Sequence, residues 1–376
     1  MTVRADRRAA GRRTLRYMAV LLCLLPVLAG CGAPGMRNDA PAVTAPPTLT
    51  ALPTVTAAAA LPDRLHLRPV APNALTLFIQ PDDGRAPVLD AFNHARTRID
   101  LMIYLLSDHD AITALKNAVL RGVAVRVLLE QHPCCSDDNA MQRALFGELQ
   151  AARVQVQWAN PAFRLTHAKM AVVDGTTALV MSQNLTKSSF TFNREASIVD
   201  RDPVDVAALD ALFAADWERS PYAPSDLNLV IANSNARQTF LTLIGGATKS
   251  LSVESEEMQD PAIIDALIAA RGHGVAVRYI GSTATAGPTA PKQDDNATGR
   301  KRLTGGGASV RLLAAPYVHT KTVVADGIVA FVGSENFSAA SLDTNREIGI
   351  LTTDTAIIGR LTSVFTKDWA AGKPET

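Results

Sequence analysis

The chain has 376 residues, of which 47% are hydrophobic and 19% are charged, which is enough for two medium domains or one large double domain. Its formal net charge of +1 is unevenly distributed, because residues 1–30 carry +5 and the remainder therefore carries −4. A mildly acidic body gives no broad electrostatic reason to bind nucleic acid, although its net charge is compatible with a local basic groove.

The N-terminal segment predicts an export signal with a lipid anchor. A basic stretch at residues 4–16 precedes an apolar run at 18–29, which is shorter than the roughly 20 apolar residues of a membrane-spanning helix. The run ends in Leu28-Ala29-Gly30-Cys31, which resembles the lipobox of bacterial lipoproteins, whose cysteine is lipidated. We expect residues 1–31 to be a lipoprotein signal peptide that anchors the protein at the outer face of a bacterial membrane or in the periplasm. An ordinary secretory signal, or an uncleaved anchor with a chance cysteine, is the alternative.

Residues 32–62 predict a spacer between the anchor and a folded body. They consist mainly of alanine, proline and threonine, with few charges and no amphipathic period. Such a composition favours an extended chain without a packed core. The spacer would hold the body away from the membrane surface.

The body of the chain is an internal repeat, since several short segments recur 152 residues further along the sequence. The matched segments are residues 122–126 with 274–278, His167-x-Lys169 with His319-x-Lys321, and Asp216-Trp217 with Asp368-Trp369. Matches at a single offset indicate a duplication. We place an N-terminal half at residues 63–222 and a C-terminal half at residues 223–376.

Each half alternates predicted strands and helices. In the first half, Ser107 or Asp108 can cap a helix that Gly122 ends, and Asp174-Gly175 predicts a hairpin turn that Asp326-Gly327 repeats. Apolar or β-branched strands are predicted at residues 99–104, 123–129, 154–158, 169–173 and 178–181. The pattern predicts an α/β fold of two homologous sandwich halves, which a pseudo-twofold axis would relate.

Both halves carry the same polar residues at the same spacing. The first set is His167, Lys169, Asp174, Ser182, Asn184 and Glu195, and the second is His319, Lys321, Asp326, Ser334, Asn336 and Glu347. Two copies of His-x-Lys-x4-Asp, each followed by Ser-x-Asn, resemble the phospholipase D superfamily, and the resemblance covers about residues 70–376. It implies one active site that is assembled from both halves, so that neither half works alone.

The residue types suit transfer of a phosphodiester. His and Lys two apart on a strand point to the same face, and the two lysines can neutralise the non-bridging oxygens of phosphate. The serines and asparagines of the motifs can add neutral hydrogen bonds to those oxygens. One imidazole can attack phosphorus, and the other can protonate the leaving alcohol and then activate water. The resemblance implies that His167 is the nucleophile and that His319 is the general acid and base.

The carboxylates of the two motifs can orient the imidazoles and fix their tautomers. The candidates are Asp174, Asp326, Glu195 and Glu347, and the sequence leaves open which of them serves which histidine. One position departs from the resemblance, because Met181 stands where the second motif has Gly333. Its side chain either narrows the phosphate pocket or fills the core behind it.

No metal or cofactor is predicted, since the two lysines already supply the cationic role. His132, Cys134 and Cys135 lie too close together for the usual spacing of metal ligands. The two cysteines either form a vicinal disulfide or remain free. Both motifs lie in one chain, so a monomer can hold the whole site.

The predicted function is that of a phosphodiesterase that hydrolyses phospholipid head-group esters to phosphatidic acid and an alcohol. Transfer to a second alcohol, as in cardiolipin synthesis, uses the same intermediate and is the first alternative, although no pair of transmembrane helices precedes the body. A nuclease is the second alternative, and the acidic body disfavours it. A non-catalytic protein that binds phosphorylated ligands is the third, and the complete double motif argues against it. The predicted partners are a phospholipid substrate and the membrane surface.

Overall fold

A computed structural model describes residues 60–133, 139–283 and 294–375. The predicted signal peptide, the lipidation site Cys31, most of the spacer and the Cys134-Cys135 pair lie outside these residues. Within them, sixteen strands form two mixed sheets of eight strands each.

The first sheet is built mainly by the N-terminal half. Its strands are β1 (Leu75–Gln80), β2 (Arg98–Ile103), β3 (Ala124–Leu129), β4 (Gln155–Trp158), β5 (Lys169–Val173), β6 (Thr177–Met181) and β7 (Asn193–Asp200). The helices in this part of the chain are α1 (Leu61–Arg64), α2 (Ala86–Asn93), α3 (His109–Leu120), α4 (Ala140–Ala151), α5 (Lys187–Thr191) and α6 (Pro203–Glu218). The strand order is β1-β7-β6-β5-β2-β3-β4.

The C-terminal half repeats this plan. Its strands are β8 (Leu229–Ile231), β9 (Ser250–Ser255), β10 (Ala276–Ser282), β11 (Ser309–Leu313), β12 (Tyr317–Val318), β13 (Lys321–Ala325), β14 (Val329–Gly333), β15 (Ile348–Thr352) and β16 (Lys373–Pro374). Its helices are α7 (Ala236–Gly246), α8 (Pro261–Gly272), α9 (Ala297–Gly305), α10 (Ala339–Asp343) and α11 (Thr355–Ala371). The order β8-β15-β14-β13-β9-β10-β11 matches that of the first sheet strand for strand, and β16 extends it.

Capping residues show how the repeated sequence specifies repeated local structure. Asp108 accepts a hydrogen bond from the backbone N–H of Ala111 at the start of α3, and Asp260 does the same for Ile263 at the start of α8. A capping carboxylate satisfies an N–H that would otherwise lack a partner within the helix. The predicted helix after Asp108 and the predicted hairpin at Asp174-Gly175 are thus both observed.

The central strands are buried on both faces, which explains their continuous apolar runs. On β5, Met170 and Val172 face a core that lies between the two sheets, whereas Ala171 and Val173 face the helices α2 and α3. On β13, Val324 faces the shared core, and Val323 faces the helices of its own half. The two sheets therefore pack face to face, with α6 and α11 contributing to the same central core.

Two features extend across the repeat. The short strand β12 belongs to the C-terminal half in sequence but pairs in parallel with β7 of the first sheet. Helix α1 lies at the start of the N-terminal half, yet its buried Leu61 packs in the core of the C-terminal half. The predicted limit of the spacer at residue 62 thus falls inside α1.

None of the described helices is both long and apolar enough to cross a membrane. The architecture confirms the predicted α/β fold of two homologous halves.

Candidate active site

The two histidines lie where the halves exchange backbone hydrogen bonds. His167 comes just before β5 and His319 just before β13. The backbone N–H of His167 donates to the carbonyl oxygen of Arg346 at 2.9 Å, and that of His319 donates to the carbonyl oxygen of Arg194 at 3.1 Å. Each histidine is thus fixed by the opposite half, and both lie at the interface between the halves.

Each imidazole is also bonded to a glutamate of the opposite half. His167 Nδ1 donates to Glu347 Oε2 at 2.7 Å, and His319 Nδ1 donates to Glu195 Oε2 at 2.9 Å. Because a carboxylate only accepts, each Nδ1 carries a proton, and Nε2 of each ring is left for chemistry. The structure thereby assigns the carboxylates that the sequence left open.

Polar neighbours hold both glutamates. Asn193 Nδ2 donates to Glu195 Oε1 at 3.1 Å, and Asn345 Nδ2 donates to Glu347 Oε1 at the same distance. Burial alone would raise the pKa of either carboxyl, but the nearby histidine and lysine outweigh burial and lower it. Both glutamates therefore remain ionised when they face an imidazolium.

The serines of the motifs lie in the wall of the site. Ser182 Oγ donates to Glu195 Oε2 at 2.6 Å, and Ser334 Oγ accepts from the backbone N–H of Ile348 at 3.1 Å. The two hydroxyls thus bond to groups in the wall of the site, and their bonds to phosphate stay a prediction. Asn184 and Asn336 are buried, and the Oδ1 atom of each lacks a hydrogen-bond partner. Their amides stay candidates for contact with substrate.

The structure does not bring Asp174 and Asp326 to the imidazoles. Each follows the strand that begins with the motif lysine, at a turn where its own φ is positive. Asp174 accepts hydrogen bonds from the backbone N–H groups of residues 96, 97 and 98, and Asp326 from those of residues 248, 249 and 250. These bonds lower the pKa of both carboxyls against the opposing effect of burial. Each aspartate links the turn after its motif strand to the loop that precedes the neighbouring strand. The predicted role of orienting the imidazoles falls to Glu347 and Glu195.

The motif lysines are buried, each with 1% of its surface exposed. Lys169 Nζ donates to the carbonyl oxygen of His167 at 2.5 Å, and Lys321 Nζ donates to that of His319. Burial lowers the pKa of Lys169 to about 7, and the charge of Lys321 acts in the same direction. A bound phosphate anion would restore the preference of Lys169 for its charged form.

Two positions break the symmetry of the site, and sequence reasoning missed both. Tyr104 packs edge-on against His167 with ring centroids 4.6 Å apart, whereas the equivalent residue in the second half is Glu256. Glu256 Oε2 lies 2.9 Å from Lys321 Nζ and 3.5 Å from His319 Nε2. Tyr317, which replaces Leu165 of the first half, donates its hydroxyl to Glu256 Oε1 at 3.0 Å. The offset of 152 would have exposed both departures if it had been applied to every position.

The two histidines therefore sit in different electrostatic surroundings. Burial lowers the pKa of His167 to about 4; Lys169 and Lys321 contribute to this shift, and Glu347 opposes it. His167 is therefore neutral at pH 7, and since its proton is on Nδ1, the lone pair is on Nε2. Around His319, burial would raise the pKa of Glu256, but Lys321 and His319 outweigh it and lower that pKa well below its ordinary value. An ionised carboxylate thus faces Nε2 of His319.

A cavity of about 470 Å³ adjoins His167. Its charged lining includes the carboxylates of Glu257 and Asp295 and the guanidinium of Arg164, and Asn336 and Ser338 add amide and hydroxyl groups. Such a mixed lining suits a small polar group better than a polyanion. Within the described ranges, no cluster of three or more histidine, cysteine, aspartate or glutamate side chains has the arrangement of a metal site.

The arginine between the Asn and Glu of each motif ties the halves together. Arg194 Nε donates to Asp368 Oδ2 at 2.6 Å, and Arg346 Nη2 donates to Asp216 Oδ1 at 3.0 Å. All four side chains are nearly fully buried. The recurring Asp-Trp pairs of the sequence are thus explained: the aspartates form ion pairs across the interface. The tryptophans stack on Phe213 and Phe365.

Met181 belongs to the core behind the site. It is fully buried among apolar residues of the N-terminal half. In the second half, a Cβ on Gly333 would come within 2.6 Å of Phe331, whose counterpart in the first half is the smaller Leu179. The pair Gly333 and Phe331 in the second half therefore fills a space comparable to that of Met181 and Leu179 in the first. The departure changes core packing and leaves the catalytic groups in place.

Comparison with known proteins agrees with this geometry. A family model described as "Cardiolipin synthase, PLD-like domain" matches twice, at residues 88–217 and 240–369. Cardiolipin synthase A of Pseudomonas aeruginosa is 35% identical over 124 residues, which are 33% of this chain and 25% of that protein. The mitochondrial cardiolipin hydrolase of Xenopus laevis is 30% identical over 141 residues, which are 38% of this chain and 63% of that protein. The chain thus spans a quarter of the first relative and less than two thirds of the second.

A solved structure shares the fold of both halves together. The phosphatidylserine synthase of Haemophilus influenzae superposes with a TM-score of 0.63 at 13% identity, and the match covers 81% of this chain and 88% of that one. This likeness is one of fold. Since two copies of the matched domain cover more than half of the sequence, the chain belongs to the phospholipase D-like family.

Proposed function

We propose that the protein is a phosphodiesterase that hydrolyses phospholipid head-group esters through a phosphohistidine on His167. The observation that carries this proposal is the pair of imidazoles at the interface, each bonded through Nδ1 to a glutamate of the other half, beside two buried lysines. Such an arrangement offers one neutral nucleophile and one proton donor to the same phosphorus atom.

In the first step, His167 Nε2 attacks phosphorus, and the bond from phosphorus to the head-group oxygen breaks. The proton on His319 Nε2 passes to that oxygen, so a neutral alcohol leaves. Lys169 and Lys321 neutralise the non-bridging oxygens, and Glu347 stabilises the positive charge that develops on His167. The product is a phosphatidyl group bound to His167.

In the second step, His319 is neutral and accepts a proton from water. The water oxygen bonds to phosphorus as the bond from phosphorus to His167 breaks. Phosphatidic acid leaves, and both histidines return to their starting states. Protonation of the leaving group and activation of water thus use the same side chain in opposite directions.

Phosphatidyl transfer to an alcohol is the second candidate. It differs only in the acceptor, which takes the place of water. One relative is named a synthase and the other a hydrolase, so similarity supports both outcomes. A nuclease is disfavoured because Glu257 and Asp295 line the cavity beside His167, where they would repel a polyanion.

The proposal is tested by incubating the full-length protein with vesicles of defined phospholipids, with and without excess glycerol. We expect release of head group and formation of phosphatidic acid. With glycerol, a larger share of phosphatidylglycerol than of phosphatidic acid would favour the transferase. Cleavage of single-stranded DNA at a higher rate than any phospholipid would contradict the proposal.

We also propose that the protein is exported and lipid-anchored through Cys31, which would bring the site to its substrate. The support is the Leu28-Ala29-Gly30-Cys31 sequence and the spacer that follows it. Cys31→Ser should release the protein from membranes or block its processing. A variant that is processed normally and stays membrane-bound would contradict lipidation at this cysteine.

A further inference from the structure

Glu256 gives the two halves of the site different electrostatics. The repeat places it at the position of Tyr104, so the first half has an aromatic ring where the second has a carboxylate. Its Oε2 atom lies 3.5 Å from His319 Nε2, the atom that must carry the transferred proton. The hydroxyl of Tyr317 binds the other oxygen, at 3.0 Å, and fixes the orientation of the carboxylate.

The groups that face His319 come from four elements. Glu195 on β7 bonds to Nδ1, and Lys321 on β13 bonds to the histidine's own carbonyl oxygen. Glu256 follows β9 and faces Nε2, and Tyr317 on β12 faces Glu256. An imidazolium at this place lies between two carboxylates, which outnumber the one adjacent ammonium group.

The groups that face His167 differ because an aromatic ring takes the place of Glu256. Glu347 on β15 bonds to Nδ1, but Tyr104 presents the edge-on contact of an uncharged ring. Lys169 on β5 lies beside the histidine and above the Tyr104 ring, at 5.1 Å from its centroid. Among the described residues, the carboxylate within 4 Å of the His167 ring is that of Glu347, whereas those of Glu195 and Glu256 both lie within 4 Å of the His319 ring. The same motif thus has an uncharged aromatic neighbour in the first half and a carboxylate neighbour in the second.

We propose that Glu256 is a positioning residue that assigns the general acid and base role to His319, by stabilising its imidazolium form while substrate is bound. This inference rests on the proposed function, since it concerns the proton that the leaving alcohol receives. Glu256 acts through His319 and forms no bond with phosphorus. The sequence of the motif alone leaves the two histidines equivalent, and Glu256 distinguishes them.

A plainer role for Glu256 is to neutralise Lys321, from which it lies 2.9 Å. The two roles have different consequences. Loss of a partner for Lys321 alters the affinity for the phosphate group, whatever alcohol leaves. Loss of a partner for His319 slows the reaction only where the leaving oxygen needs a proton.

The test compares Glu256→Gln with the wild-type full chain on two phosphodiesters, one with an alkyl alcohol and one with nitrophenol as leaving group. We expect kcat to fall about 10- to 100-fold for the alkyl substrate and less than about threefold for the nitrophenyl substrate. Because the carboxylate favours a protonated donor beside it, the alkaline limb of the pH profile for the alkyl substrate should move to lower pH in the variant, and the limb for the nitrophenyl substrate should stay in place. Equal slowing of both substrates with an unmoved limb would overturn the proposal.

Tyr317→Phe should shift the same quantities in the same direction but by less, because it loosens Glu256 without removing its charge. Glu148→Gln is the matched control, since this glutamate on α4 is half exposed, pairs with Lys116 and lies outside the site. It should leave both rates and the pH limb unchanged.

NMR of the His319 ring tests the inference without turnover. The ring resonances are assigned by their loss in His319→Ala. In Glu256→Gln the Nε2 resonance should move relative to wild type, because the carboxylate 3.5 Å from that atom is lost. A wild-type protein that cleaves no phosphodiester would sink the proposed function and leave this comparison informative. Unchanged ring resonances in an active enzyme would overturn the inference alone.

Discussion

The N-terminal and C-terminal halves each place a histidine, a lysine and a glutamate at the interface between them, yet the two histidines have different neighbours. His167 lies against the ring of Tyr104, and its pKa is lowered to about 4 by burial and the nearby lysines. His319 faces the carboxylate of Glu256 at 3.5 Å. The repeat therefore accounts for the shared geometry of the site, and we propose that the few differences between the halves give the two histidines separate roles.

The comparison also separates residues that repeat for structure from residues that repeat for chemistry. Arg194 and Arg346 repeat because each forms an ion pair with an aspartate of the other half. Asp174 and Asp326 repeat because each holds the same loop to the same turn. Repetition alone therefore does not mark a catalytic group, and the contacts of each residue decide its role.

The largest expected effect comes from removing the histidines one at a time. His167→Ala should lower kcat by about 10⁴-fold or more for every leaving group, because no nucleophile remains. His319→Ala should lower kcat by about 10²- to 10⁴-fold for an alkyl ester and far less for a nitrophenyl ester, which needs little protonation. Stopped-flow kinetics on both substrates provides the measurement, with thermal unfolding as the check on folding. The reverse pattern would exchange the two roles.

The next largest effect concerns the ion pairs that join the halves. Arg194→Leu should destabilise the protein by about 3 to 5 kcal/mol, because it leaves Asp368 buried without its partner. Arg346→Leu should cost a similar amount if the halves are equivalent in this respect. Denaturant unfolding measures both, and replacing Asp368 together with Arg194 by apolar residues should recover part of the loss. Changes below about 1 kcal/mol in both variants would mean that the pairs are not needed.

A smaller effect is expected from the glutamates that hold the imidazoles. Glu347→Gln should lower kcat about 10²-fold for alkyl and nitrophenyl substrates alike, since it weakens the orientation and charge stabilisation of the nucleophile. Glu195→Gln should affect the alkyl substrate more than the nitrophenyl one, because it acts on the proton donor. Steady-state rates on the two substrates distinguish these patterns. The same leaving-group dependence for both variants would argue that the halves have the same role.

The smallest effect is expected at the turn aspartates. Asp174→Asn keeps a residue that tolerates positive φ but weakens the hydrogen bonds from three N–H groups, so it should cost about 1 to 2 kcal/mol of stability and leave kcat within about threefold. The pKa of Asp174 is lower in the folded state than in the unfolded state. Its carboxylate therefore contributes to folding stability above the unfolded-state pKa, and that contribution is lost as pH falls through the folded-state pKa. The variant should therefore lose less stability than wild type on acidification, as measured by thermal unfolding at several pH values. A large loss of kcat without loss of stability would restore a catalytic role.

Much of the fold could be predicted because the repeat is preserved in the sequence. The single offset of 152 related the motif strands of the two halves, and Asp108 and the Asp174-Gly175 turn marked element boundaries. Apolar runs such as residues 169–173 indicated strands that are covered on both faces, as they are in the structure. These signals are local in sequence, so spacing and composition were sufficient to read them.

The arrangement of the site could be predicted only in part. The pairing of His167 with Glu347 and of His319 with Glu195 crosses the interface, and spacing within a half holds no information about the opposite half. Asp174 was a candidate for orienting an imidazole because it completes the motif, whereas its partners are mainly backbone N–H groups that no sequence pattern reveals. Glu256 was overlooked because a departure from a repeat is visible only once every position has been compared.

Trapping of the intermediate tests most directly whether the two histidines have separate roles. The full-length protein is mixed with a nitrophenyl phosphodiester labelled at phosphorus, quenched in base, digested and mapped by mass spectrometry. We expect an acid-labile, base-stable label on the peptide that contains His167, in larger amount in His319→Ala, where activation of water is slow. A label on the peptide that contains His319, or an acid-stable label on another residue, would contradict the account.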